Sequence, residues 1–93
     1  MNKKKLDNVR NKLDKLDYKL LDIIKKRTSL VKQVIKLKKH KKQIIDRNRI
    51  KKVLRNIKKI SIEKKIDPRI TQKIWSSMIK SYIDYERRNF NKK

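Results

Sequence analysis

The chain has 93 residues, enough for a single helical domain over 1–93, and sets 32 Lys plus Arg against 9 Asp plus Glu, a formal +23. It has no Cys and a single His, which excludes a disulfide scaffold, a thiolate metal site and a His-built metal centre. No apolar run approaches the ~18 residues of a membrane span, and the opening MNKKKLDNVR lacks the apolar stretch of a secretory signal, so a cytoplasmic protein is expected.

The first predicted element runs from residue 6 to about 39 as one uninterrupted helix. Apolar residues recur in steps of three and four at Leu13, Leu16, Leu20, Ile23, Leu30, Val34 and Leu37, and no Gly or Pro interrupts them. The pattern fails over Lys39-His40-Lys41-Lys42-Gln43, the expected first loop. Asp46 suits the N-cap of a second helix with Ile50, Val53, Leu54, Ile57 and Ile60 on its inner face. That helix should fray near Lys64-Lys65. Asp67-Pro68 is a restart signal, an Asp cap followed by Pro at the first helical position. The third helix carries Ile70, Ile74, Trp75, Met78, Ile79, Tyr82, Ile83 and Phe90 and should end near Arg88 to Phe90. No strand alternation is present, so the expected class is all-α.

A first helix of ~50 Å exceeds the width of a compact domain this size, whose radius of gyration is ~12 Å. Two shorter helices cannot cover its whole stripe. A symmetric dimer with the long helices packed together is therefore expected.

Five polar residues break the apolar faces. Arg27 occupies the stripe where a leucine would fit, and Lys38, eleven residues on, returns to within ~20° of the same angle. Arg10 flanks the stripe beside Val9. Arg49 follows Asp46 by three residues, so both share one face of the second helix. Glu86 lies one turn beyond Tyr82 and one before Phe90. Each alone reads as an edge ion pair or a snorkelling side chain. Together, four inward cations against two carboxylates imply an anion with more than one negative group, held between helices.

The charge also invites a nucleic-acid reading. Yet lysines outnumber arginines three to one and scatter over most of the length, and Lys, Ile and Asn dominate as in AT-rich coding sequence. Arginine is the better reader of phosphate and bases. A solvated basic surface without a nucleic-acid role is expected, one that still speeds encounter with small anions. No catalytic triad, phosphate loop or metal-ligand cluster is present. What remains is catalysis by preorganised charge.

Four segments in order, LDNVRNKLDKLDYKLLDIIKKR, VKQVIKLK, DRNR and IDPRITQKIWSSMIKSYIDYE, resemble the all-helical class of chorismate mutases over essentially the whole chain. The resemblance implies an intertwined homodimer of three-helix protomers. It implies pericyclic rearrangement of chorismate, a dianion, to prephenate, with no covalent intermediate and no cofactor. By position, Arg27 and Arg49 match the arginines that hold the substrate's carboxylates, and Arg10 the arginine that reaches in from the other protomer. Lys38 matches the lysine on the ether oxygen of the breaking bond, and Asp46 the aspartate near the ring hydroxyl. Glu86 falls where the family has Gln or Glu facing that ether oxygen. To donate a hydrogen bond there its carboxyl must carry a proton, so activity should fall as pH rises and Glu86→Gln should flatten the profile.

Two positions depart from the mutase pattern. Ile50 stands where many mutases carry Glu, and Tyr82 where many carry Ser. Both are more similar to isochorismate pyruvate lyase, which shares the fold and makes salicylate and pyruvate. That leaves the lyase as the alternative reading.

Overall fold

A computed structural model describes residues 2–90. Three α-helices follow in order, α1 (Lys3–Leu37), α2 (Arg47–Glu63) and α3 (Pro68–Asn89), with a short 3-10 turn, Lys41–Gln43, between the first two. The described residues contain no strand, so the all-α expectation holds. None of their helices is long and apolar enough to cross a membrane.

The helix starts follow local chemistry. Asp46 and Asp67 both sit in extended conformation at N-caps, and their carboxylates accept from the backbone N–H of Arg49 (3.0 Å) and Arg69 (2.9 Å). Such caps satisfy donors that a helix N-terminus otherwise leaves open. α2 ends with the Lys65 N–H on the Ile62 carbonyl (3.1 Å) and the Ile66 N–H on the Ser61 carbonyl (2.8 Å), the paired bonds of a Schellman cap. The cap requires a left-handed residue, and Lys65 supplies it at φ 58° without the freedom of glycine. Lys65→Gly is expected to stabilise the fold by ~1 kcal/mol and to raise the melting temperature by ~4 °C, measurable by thermal unfolding.

The chain divides into two units between Gln33 and Val34. The second unit contains the last turn of α1, the 3-10 turn, and α2 packed against α3. Its core is small: Ile35 and Ile44 are buried, and so are the polar Ser61, Thr71 and Glu86. Ser61 and Thr71 join α2 to α3 through a 2.7 Å hydroxyl–hydroxyl hydrogen bond, and the Gln72 amide donates to the Leu54 carbonyl at 2.9 Å. The sequence pattern put Ile60 on the inner face, but Ile60 is 42% exposed and its neighbour Ser61 is 2% exposed. A small hydroxyl residue lets this turn of α2 meet Thr71 closely, where an isoleucine would hold the helices apart.

The first unit is helix alone. Along α1 the covered positions are Ile24, Arg27, Thr28, Val31 and Ile35, and Lys38 just beyond its end. The sequence stripe instead stays open: Leu13, Leu16, Leu20, Ile23 and Leu30 are all more than half exposed. At 100° per residue the centres of the two sets are only about 60° apart and the sets overlap, Leu13 sharing the angle of Val31 and Leu20 that of Lys38.

Candidate active site

The site is best defined in the second unit. Lys38 follows the last residue of α1, and its backbone N–H still bonds the Val34 carbonyl at 3.1 Å, so the helix aims the side chain. The Lys38 Nζ donates to Glu86 Oε1 on α3 at 2.9 Å and to the Ile44 carbonyl at 3.4 Å. Both side chains are largely withdrawn from water, 19% and 9% exposed. Taking two charges out of water costs several kcal/mol, which the pairing must offset. Glu86, buried on the third helix, therefore has the inward position its spacing suggested.

A cleft of about 490 Å³ opens beside this pair, lined by Lys38, Gln43, Ile45, Asp46, Arg47 and Asn48. Asp46 thus does two things. One carboxylate oxygen caps α2, and its remaining lone pairs are enough for a second donor. Arg49 is exposed one turn into α2, so its guanidinium is carried at the helix start close in sequence to the cleft residues. Ile50 and Tyr82 are half-buried, and the Tyr82 ring meets Tyr85 edge-on with centroids 6.5 Å apart.

Arg10 and Arg27 belong to the first unit. Arg10 is exposed and Arg27 half-buried, seventeen residues apart on one continuous helix. That spacing is about 25 Å along the axis.

The structure therefore joins Lys38 to Glu86 and lines one cleft with Lys38 and Asp46; Arg49, Ile50 and Tyr82 lie on α2 and α3, and Arg10 and Arg27 in the other unit. It also adds four residues that the spacing did not single out: Gln43, Ile45, Arg47 and Asn48. Arg47 had a legible signal, a second arginine in DRNR at the first turn of α2. Gln43 had none, since it sits in the stretch where periodicity fails. No group of three or more metal-ligating side chains occurs among the described residues. The chemistry available is cationic binding and hydrogen bonding around a buried ammonium–carboxylate pair.

The family model described as chorismate mutase type II matches residues 9–87. A chorismate mutase of Methanocaldococcus jannaschii is 35% identical over 97 aligned residues, which cover 96% of this chain and 97% of that protein. No solved structure gives a significant match.

Proposed function

Because the chain belongs to the chorismate mutase type II family, we propose that it rearranges chorismate to prephenate by stabilising charge, without a covalent intermediate. The observation that carries the reading is the Lys38–Glu86 pair, two ionised groups withdrawn together beside a cleft. The transition state of this rearrangement gathers negative charge on the ether oxygen of the breaking bond. An ammonium fixed there gains more attraction in the transition state than in the substrate, which is the condition for raising kcat. Arg27 and Arg49 hold the two carboxylates and select the compact, reactive conformer. Purified protein should convert chorismate to prephenate at low salt; no conversion at high enzyme concentration refutes the proposal.

In the free chain Glu86 accepts from Lys38; to act from the opposite side of the ether oxygen when substrate is bound, it must take up a proton and turn donor. A glutamine keeps an oxygen for Lys38 and donates at any pH. Glu86→Gln is therefore expected to keep most of kcat while Glu86→Leu loses it, and a Gln variant as slow as the Leu variant removes Glu86 from this role.

The working enzyme is a homodimer with α1 packed along its copy. The open leucine stripe supports this, since a stripe of this length is an interaction surface. Geometry supports it as well. Two arginines ~25 Å apart on one helix cannot both grip one small dianion, which favours an Arg10 that reaches in from the second chain. That arrangement has a distinctive test. Arg10→Ala and Arg27→Ala should each be nearly inactive, yet their heterodimer contains one intact site and one doubly damaged site. Random re-association gives half heterodimers, so a mixture should recover about a quarter of wild-type activity. No recovery on mixing places both arginines in the same protomer's site.

Ile50 and Tyr82 favour one alternative, an isochorismate pyruvate lyase. An aliphatic Ile50 cannot hydrogen-bond the ring hydroxyl of chorismate as a glutamate does. Specificity constants for chorismate and isochorismate on one preparation, the second read by salicylate fluorescence, decide between the two.

A further inference from the structure

The segment between α1 and α2 is rich in cations, yet it is tightly bonded. The Lys39 and His40 N–H groups both donate to the side-chain oxygen of Gln43, at 2.6 and 2.8 Å. Those donors have left the helix, and backbone N–H groups require partners. One amide oxygen accepts two hydrogen bonds, so Gln43 is used to capacity. Its own N–H returns to the His40 carbonyl at 3.0 Å, and the Ile44 N–H to the Lys41 carbonyl at 3.2 Å. Lysines only donate, so from Lys39 to Gln43 only Gln43 and a neutral His40 have a side-chain acceptor. The far end is fixed by Ile44, which is 4% exposed.

The closed turn aims the Ile44 carbonyl at the Lys38 Nζ, 3.4 Å away. The ammonium is thus held by one oxygen from α3 and one from the turn. A contact of 3.4 Å is at the long limit of a hydrogen bond, so a small movement of the turn breaks it. A lysine on a flexible four-carbon stem then loses one of its restraints.

We propose that Gln43 is a positioning residue for Lys38: by clamping the Lys39–Ile44 turn it fixes the ammonium where charge develops. This rests on the mutase reading above. Gln43 is exposed, so substitution should leave the helices intact. Gln43→Met keeps length and removes the acceptor; Gln43→Glu keeps the acceptor and adds a negative charge.

The test is steady-state kinetics with chorismate on full-length wild type and both variants, with circular dichroism to verify equal helix content. Gln43→Met should lower kcat by about 10- to 100-fold while KM stays within about 3-fold, the signature of a displaced group rather than lost binding. Gln43→Glu should restore kcat while raising KM, because its charge repels a dianion. A Met variant within about 2-fold of wild type in kcat, or a Glu variant as slow as the Met variant, overturns the proposal. A parallel readout needs no turnover. The 15N resonance of Lys38 Nζ should shift in Gln43→Met; an unmoved resonance overturns the clamp. If wild type itself leaves chorismate unchanged, the mutase reading fails, and the resonance still decides whether Gln43 positions Lys38.

Discussion

Lys38→Met is expected to lower kcat by about 100- to 1000-fold, the scale seen when a preorganised donor to a developing oxyanion is removed. The single substitution has a second consequence, because it leaves Glu86 buried at 7% exposure without its ammonium. Breaking one side of a buried pair costs about 3–5 kcal/mol, so a poorly folded variant would mimic a catalytic defect. The double variant Lys38→Met with Glu86→Gln separates these effects. It replaces the pair by neutral groups of similar volume, and such replacements are often neutral or stabilising. The double variant should regain the wild-type melting temperature and stay as inactive as Lys38→Met. Turnover that returns with stability would mean the pair is structural and that Lys38 does not act on the substrate.

Leu16→Asp is expected to abolish both the proposed dimer and activity. Leu16 is 59% exposed in the single chain, on the open face of α1. Burying a leucine contributes ~2 kcal/mol, and a two-fold interface counts each substitution twice. Burying the new carboxylate adds a further cost. A loss of at least ~4 kcal/mol raises the dissociation constant ~1000-fold. The first unit is a helix with no core of its own, and isolated helices are marginal in water. Helix content should therefore fall with the dimer, read by circular dichroism alongside sedimentation. The half-buried Thr28→Ala on the same helix is the control, since Thr28 lies off the leucine stripe and the change should leave assembly intact. A Leu16→Asp variant that stays dimeric and active excludes the stripe as the seam.

The helix boundaries were legible because they rest on local chemistry. Asp46, and Asp67 with Pro68, announce helix starts through caps that need no tertiary partner. The expected end near residue 39 falls two residues late, since α1 stops at Leu37. The Gln43 side chain takes the N–H groups that would have extended the helix, a bond across four residues that periodicity does not register. The polar pair Ser61 and Thr71 was invisible for a related reason. Each alone reads as surface, and each is buried only because the other faces it across α2 and α3.

Family, fold class and the withdrawn positions of Lys38 and Glu86 were thus set by the order and spacing of residues along the chain, whereas Arg10 and Arg49, expected on inward faces, are exposed in the single chain. Spacing fixes the angle around a helix, and a cation at a core angle is conspicuous wherever the helix goes. Only the tertiary structure decided how those charges meet. It left Leu13, Leu16, Leu20, Ile23 and Leu30 exposed along α1 while Ile35 is buried. It joined Lys38 to Glu86 across 48 positions of sequence. Such a bond depends on the packing of α3 in the second unit, and no local pattern encodes the distance between residues on different helices.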